Sequence, residues 1–243
     1  MRTRPTRSLA VLLALSAGLW SQTGGKMPPG QTLVAAVSAG SPASLLQADS
    51  PAWSQVAARR IALNRTPPLY DTDEPATLEI PTLDVRLVRA GGKLLVQMTW
   101  RDATEDSAVL EKVPETPPEA RFHKLPTEAD DRFFDAAAVM FPAKPGSTGA
   151  APSLQMGDAG DAVEIYYWNA ARGPMRMQAQ GRGTTRRTGQ SFPAAGAYRA
   201  GQWSVTLELS DLPAGTPLAF AVWNGSQKDR DGRKYFSVWQ ILR

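Results

Sequence analysis

Cysteine is absent from the 243-residue chain, and histidine occurs once, at His123. Without thiols there is no disulfide, no Cys-ligated zinc or iron–sulfur cluster, no thioether-linked haem, no thiol nucleophile and no lipoprotein cysteine. One histidine excludes two-histidine metal or haem sites and would leave a Ser-His-Asp triad resting on a single residue. Glycine and proline, 20 of each, are spread along the chain and too few for a collagen-like or wholly disordered protein. Long apolar runs are missing too. The most apolar stretch, Ser8 to Trp20, is about a dozen residues and too short to span a bilayer. No GxSxG, HExxH or Walker loop is present, and no GxGxxG opens a helix. The acids sit in polar loops without the apolar surroundings that raise a glycosidase acid's pKa. No internal repeat is visible.

The charge balance removes another class. The formal net charge is +4, from 27 Lys and Arg against 23 Asp and Glu. Arg2, Arg4, Arg7 and Lys26 all lie in residues 1–26, which carry no acid, so the remainder of the chain is neutral. A nucleic-acid or anionic-membrane partner therefore lacks its main electrostatic support. The basic start followed by the apolar Ser8–Trp20 stretch has the form of a secretory signal; a membrane anchor or a buried helix is the competing account. Small residues that suit cleavage lie at Val34 to Ala43. The sequence thus divides into a signal peptide and leader over 1–36, a linker over 37–50 and one domain over 51–243. An exported, cysteine-free chain with no further apolar run fits a bacterial periplasm and predicts no membrane span.

From Pro51 onward, short alternating runs are separated by turn residues. Leu83, Val85 and Leu87 alternate in Thr82–Arg89, and Leu94, Val96, Met98 and Trp100 alternate in Lys93–Arg101. The Gly91-Gly92 between them predicts a β-hairpin. Further strands are predicted over Ala136–Phe141, Ala162–Trp168, Gly201–Leu209, Leu218–Trp223 and Lys234–Leu242. The pattern predicts an all-β protein, a β-sandwich of immunoglobulin-like or carbohydrate-binding-module-like type with a few short helices in loops. Asp102–Asp131 is acidic and Pro-rich and reads as a long excursion with a short helix near Glu128. Gly173–Gly196 carries Arg172, Arg176, Arg182, Arg186 and Arg187 in or beside it. It reads as a solvated hairpin or as a basic patch for an acidic partner surface.

Two side chains invite a chemical reading. Met98 lies on the apolar face of its run, where core packing explains it. Lys234 alternates with Phe236 and Val238, so its amine either snorkels to water or sits in an apolar pocket. A buried amine held neutral has a lone pair for a metal, and burial and a metal's charge both favour that form. Thioether and amine would make an unusual axial pair for haem iron. Asp229-Arg230-Asp231-Gly232 faintly resembles a calcium loop, but the spacing and closing Glu of an EF-hand are missing.

Short motifs in a fixed order carry a resemblance. They begin with Ser50-Pro51-Ala52-Trp53 and Met98-Thr99-Trp100-Arg101-Asp102-Ala103-Thr104. Phe134-Asp135-Ala136-Ala137-Ala138-Val139-Met140-Phe141-Pro142 follows, then Met156-Gly157 and Val163-Glu164-Ile165-Tyr166-Tyr167-Trp168-Asn169-Ala170. The last are Ala221-Val222-Trp223-Asn224-Gly225, Asp229 to Lys234, and Ser237-Val238-Trp239. Over residues 50–243 the chain resembles the haem b-binding gamma subunits of the type II dimethyl-sulfoxide-reductase family, which includes ethylbenzene dehydrogenase, dimethylsulfide dehydrogenase, chlorate reductase and selenate reductase. The resemblance implies a sandwich holding one non-covalent haem b with Met and Lys as axial ligands. These map onto Met98 and Lys234, with Lys228 the rival lysine and Met140 and Met156 weaker alternatives to Met98. Trp168-Asn169 departs from the family's Trp-x-Trp pattern.

The resemblance also implies a heterotrimer with a molybdenum-cofactor catalytic alpha subunit and an iron–sulfur beta subunit. This chain would then pass electrons between the beta subunit and a periplasmic cytochrome c or similar carrier, and would not itself be an enzyme. A secreted carbohydrate-binding module is the alternative, since seven Trp and five Tyr could form sugar-stacking platforms. A purely structural partner subunit is a third reading.

Overall fold

The Gly91-Gly92 hairpin forms as expected and supplies the centre of one sheet. Both glycines adopt positive φ, 53° and 70°, which side-chain-bearing residues adopt only at a cost. In this computed structural model, residues 30–66, 78–107, 133–145 and 151–243 are described. Within them the chain runs β1 (Thr32–Leu33), β2 (Ala36–Val37), α1 (Pro42–Leu46), β3 (Arg59–Ala62), β4 (Asn64–Arg65), β5 (Thr82–Ala90) and β6 (Lys93–Arg101). It continues with β7 (Ala136–Pro142), β8 (Val163–Asn169), β9 (Gly173–Ala179), β10 (Arg186–Arg187), β11 (Ala194–Tyr198), β12 (Gln202–Ser210), β13 (Pro217–Trp223), β14 (Tyr235–Phe236) and β15 (Gln240–Leu242).

These strands make two sheets. The larger runs β1-β15-β13-β7-β8-β9-β10, with β14 on β13 and β4 on β14. The smaller runs β11-β12-β6-β5-β2, with β3 on β5. The main apolar core lies between them and draws from both: Val85, Val96, Met98, Val205 and Leu207 from the smaller sheet meet Val139, Phe141, Tyr166, Phe220 and Val222 from the larger. The sandwich predicted from period-2 alternation is the observed fold.

The outer face of the smaller sheet is closed as well. Leu45 of α1 and Trp53 of the Pro51–Gln55 3₁₀ turn pack on Val88, Ala90 and Leu95. The 37–50 segment expected as a linker is therefore part of the domain, with Leu45 and Ala48 buried. Part of the expected leader is folded too: Leu33 is buried, and β1 runs parallel to β15. Short, poorly alternating strands such as β1 and β2 carry no periodic signal, so the sequence pattern passes over them.

The C-terminal run expected as one strand over 234–242 is two. Ala221 pairs with Phe236 and Leu218 with Gln240, so three residues on one strand oppose two on the other. That is a β-bulge at Ser237–Trp239. The Ser237 amide donates to the Phe220 carbonyl and its hydroxyl accepts from the Phe220 amide. The helix expected near Glu128 and His123 lie outside the described residues.

Candidate functional site

Met98 and Lys234 do not meet in this structure. Met98 lies mid-strand in β6, opposite Val85 and Val205, fully buried between the sheets. Lys234 precedes β14, and its ammonium sits 5.5 Å from the Trp223 ring centroid. Along β13, Leu218, Phe220 and Val222 point into the inter-sheet core, whereas Ala219, Ala221 and Trp223 belong to a second apolar cluster on the other side. Lys234 therefore lies on the outer face of the larger sheet and Met98 behind its inner face. The rival lysine, Lys228, is exposed and closes a 3₁₀ turn in left-handed conformation. Period-2 counting could place Met98 and Lys234 on apolar faces but could not say which two faces were the same.

The outer face holds a different methionine. Met140 of β7 is half-buried and packs on that second cluster, as do Met156 and Met177. Strand register orders the face into rows. Phe236, Ala221, Ala138 and Tyr167 form one cross-strand row. The row on one side contains Ala219, Met140, Ile165 and Met177; the row on the other contains Trp223, Ala136 and Asn169. Lys234, one residue before the β14 pairing, falls beside Trp223. The centre of this face is thus floored by Ala136, Ala138, Ala219 and Ala221, with Met140 on one side and Lys234 on the other. All four alanines are buried, packed in one cluster with Tyr167, Trp223, Phe236 and Trp239.

The surrounding side chains set the electrostatics. Burial pushes the Lys234 ammonium toward the neutral amine; the charge of Arg182 acts in the same direction and Asp231 opposes both. Lys234 Nζ is 3.5 Å from the Asp231 carbonyl oxygen, at the outer limit of a hydrogen bond. Tyr167 stacks edge-on against Trp223 at 5.2 Å, and its hydroxyl accepts from Asn169 Nδ2. Burial raises the Tyr167 pKa, so the phenol stays neutral. A thioether and a half-buried amine beside an apolar cluster are a donor set suited to a haem iron. The inter-sheet space around Met98 is filled by side chains of both sheets and offers no such floor.

The other sequence candidates resolve simply. Asp229 is buried, with both carboxylate oxygens accepting from the Arg65 guanidinium at 2.5 and 2.6 Å and one also from the Asn224 amide. Its oxygens hold the turn together, as a calcium ligand's would not. Among the described residues no group of three or more His, Cys, Asp or Glu could hold a metal ion. Six tryptophans, Trp53, Trp100, Trp168, Trp203, Trp223 and Trp239, are all buried, so none of these six forms an exposed stacking platform. Trp168 points inward to Trp203, and Asn169 takes the outward place beside Tyr167.

A sequence profile described as "Ethylbenzene dehydrogenase" matches residues 50–198. The chain belongs to this family. That span includes Met140 and ends before Lys234. Relatives of the family member extend the likeness. The ORF7 protein of Haloferax mediterranei, assigned as a respiratory nitrate reductase heme subunit, is 32% identical over 205 residues, covering 79% of this chain and 66% of its own. The chlorate reductase subunit gamma of Ideonella dechloratans is 28% identical over 65% of this chain and 64% of its own. The dimethylsulfide dehydrogenase subunit gamma of Rhodovulum sulfidophilum is 28% identical over 79% and 72%. The chain spans about two thirds of the length of these relatives. Among solved structures, a family 9 carbohydrate-binding module from Caldicellulosiruptor kristjanssonii in complex with glucose aligns over 86% of this chain, at 14% identity and TM-score 0.42. Among the described residues no helix is long and apolar enough to cross a membrane.

Proposed function

We propose that this chain is a non-catalytic electron-transfer subunit carrying one non-covalent haem b, held between Met140 and Lys234. The observation that carries the reading is the apolar outer face of the larger sheet, on which a thioether and a half-buried amine lie together. The relatives named as gamma or heme subunits of reductases and a dehydrogenase support it. In this reading Met140 replaces Met98, which was the sequence-based assignment, because it shares a face with Lys234. When bound, the haem supplies one-electron chemistry, with the soft thioether favouring Fe(II) and a raised potential. The protein's part is to bind, to orient and to keep water away. Met140 and Lys234 would hold the group, with Trp223 and Tyr167 beside them, and burial lowers the Lys234 pKa in the direction that a neutral amine donor needs.

The chain's partners in this reading are a molybdenum-cofactor catalytic alpha subunit, an iron–sulfur beta subunit and a soluble cytochrome c or similar carrier. The signal-like N-terminus supports a periplasmic place for the assembly, and the neutral body suits a stable, mainly apolar interface.

The test is a visible spectrum of the full chain, oxidised and dithionite-reduced, with a pyridine haemochrome assay. One b-type haem per chain is the expected result. Met140→Ala and Lys234→Ala should each lose haem or turn it high-spin, while Met98→Ala and Lys228→Ala should keep the low-spin spectrum in whatever protein folds. A flat spectrum from folded protein, purified with its natural partners from haem-replete cells, would end the haem reading. An unchanged spectrum in Met140→Ala alongside a changed one in Met98→Ala would restore Met98.

A further inference from the structure

The tryptophans differ in what their ring N–H groups meet. Trp53 donates to the Leu45 carbonyl, Trp223 to the Asp231 carbonyl and Trp239 to the Pro152 carbonyl. Trp203 of β12 donates instead to a carboxylate, Asp135 Oδ2, at 2.9 Å. Among the described residues it is the one indole hydrogen-bonded to a carboxylate, and the two partners are only 3% and 0% exposed. Trp100 Nε1 makes no hydrogen bond, although the Asp102 carboxyl lies near it. Two backbone amides fix Asp135 in place, Asp106 at 2.7 Å and Gly225 at 2.9 Å. Three more rings surround Trp203, with centroids at 5.2 Å for Trp168, 5.3 Å for Tyr198 and 6.2 Å for Trp100. Tyr198 is half-buried, and its hydroxyl donates to the Asp102 carbonyl at 3.0 Å. Touching rings thus lead from the surface at Tyr198 to the buried Trp203–Asp135 pair.

A carbonyl oxygen can hold an indole N–H but does not take its proton, whereas a carboxylate can do both. The difference matters when an indole loses an electron, because its N–H then becomes strongly acidic. In a low-dielectric interior, a fixed anion at hydrogen-bond distance also favours positive charge developing on the ring. Burial raises the Asp135 pKa, against the hydrogen bonds from Gly225, Asp106 and Trp203, so its carboxylate takes up a proton more readily than an exposed one. We propose that Trp203 and Asp135 form a proton-coupled one-electron donor, a sink for strong one-electron oxidants of the peroxide-derived radical class that meet the sandwich at Tyr198. The oxidant gains one electron from the Trp203 ring, and the Nε1 proton moves to Asp135 Oδ2. A neutral indolyl radical and a carboxylic acid remain. A one-electron reductant such as ascorbate reverses both transfers. Tyr198 is the entry ring and not the resting place, since its hydroxyl meets a carbonyl and no base that takes its proton. This site lies in the inter-sheet core and does not depend on the haem reading.

The experiment flash-oxidises the purified full chain, first treated with ferricyanide, using ruthenium tris(bipyridine) and persulfate. Transient absorption and freeze-quench EPR then identify the radical. Wild type should give a neutral indolyl radical that forms more slowly in D2O than in H2O, because the N–H proton moves with the electron. Trp203→Phe should lose that radical. Trp53→Phe, whose N–H meets a carbonyl on the outer side of the smaller sheet, should keep it. Tyr198→Phe should slow its formation without changing its identity. Folded Asp135→Asn, which keeps a hydrogen-bond acceptor but cannot take the proton, should give the protonated indole radical cation in its place. The isotope effect and the Trp203→Phe loss decide the matter even where Asp135→Asn fails to fold. Absence of an indolyl radical, a tyrosyl radical as the lasting product, the same indolyl yield in Trp203→Phe, or equal rates in H2O and D2O would overturn the assignment.

Discussion

The inner and outer faces of the larger sheet are built from the same strands and to opposite purposes. Inward, β7, β8 and β13 present Val139, Phe141, Tyr166, Trp168, Phe220 and Val222, and the smaller sheet fills the space against them. Outward, β7 and β13 present Ala136, Ala138, Ala219 and Ala221 with Met140 and Trp223, and β8 presents Val163, Ile165 and Tyr167. Large residues alternating with large residues are what a sheet buried on both faces by other protein layers requires. Large alternating with alanine on β7 and β13 gives the outer face a thinner layer of its own side chains, covered from its neighbours. The inner face therefore sets stability, and in the proposed reading the outer face sets what the domain can hold.

Substitutions on the two faces should separate accordingly. The largest effect belongs to the inner face. Phe220→Ala removes a ring that is 1% exposed and should cost about 3–5 kcal/mol in urea unfolding, with no change in haem type in the protein that still folds. Met98→Ala, on the facing sheet, should cost about 2–5 kcal/mol in the same way. A similar cost for Met140→Ala would mean that the two faces are not distinct in kind.

The end of the sandwich, where the two faces meet, adds a pH term. Asp135 is fully buried and accepts from the Asp106 and Gly225 amides and from Trp203 Nε1. Asp102, also buried, accepts from the Thr104 amide, and its other oxygen has no partner among the described residues. Burial first, then the neighbouring Asp135 charge, pushes its pKa up to about 7. A carboxyl with a folded pKa above its unfolded value binds more protons in the native state, so its contribution is fully present below about pH 4 and is lost as pH rises through 7. The loss is on the order of 4 kcal/mol for a group moved from about 3.9 to about 7. Denaturant midpoints of wild type should therefore fall from pH 4 to pH 7 relative to Asp102→Asn, which keeps the shape and removes the titration. Parallel midpoint curves for the two proteins would show that Asp102 is ionised in the folded state.

The outer face should respond to added bulk more than to removed bulk. Ala221→Leu places an isobutyl group in the central alanine row and should cost about 1–3 kcal/mol by overpacking, while abolishing haem uptake measured by the Soret band. Haem retained at wild-type stoichiometry in a folded Ala221→Leu chain would move the site off this face.

Much of this architecture can be read in the residues. The Thr82–Arg101 hairpin, the strands at Ala136, Ala162, Gly201 and Leu218 and the sandwich itself follow from strict alternation and glycine turns, because each is buried on at least one face. The short strands β1 to β4 lack enough residues to show a period, and the bulge at Ser237–Trp239 breaks the alternation within the C-terminal run. The candidate face was half legible. A lysine in phase with Phe236 could be placed on an apolar face, but which methionine shares that face depends on which strands lie side by side. Met140 interrupts a run in which both faces are apolar, so its own segment gives no phase to distinguish it from core. The pairing of Ala219 with Met140 and of Ala221 with Phe236 supplies that information, and no local pattern carries it.

The smallest expected effect tests the same comparison from outside both faces. Lys228 is only six residues from Lys234, yet it sits in solvent with φ 56° and ψ 40°, its amide donating to the Gly225 carbonyl to close the turn. Its ammonium faces neither the inter-sheet core nor the alanine floor, so position in the turn and proximity in sequence do not make it a ligand. Lys228→Gly relieves a left-handed conformation that costs a side-chain-bearing residue about 1–2 kcal/mol. Glycine's greater unfolded-state entropy offsets most of that gain, leaving a net change under about 1 kcal/mol. Haem content and the low-spin spectrum should be those of wild type. A lost or high-spin haem in Lys228→Gly, with Lys234→Ala unaffected, would move the amine donor to this turn and away from the face that Met140 shares.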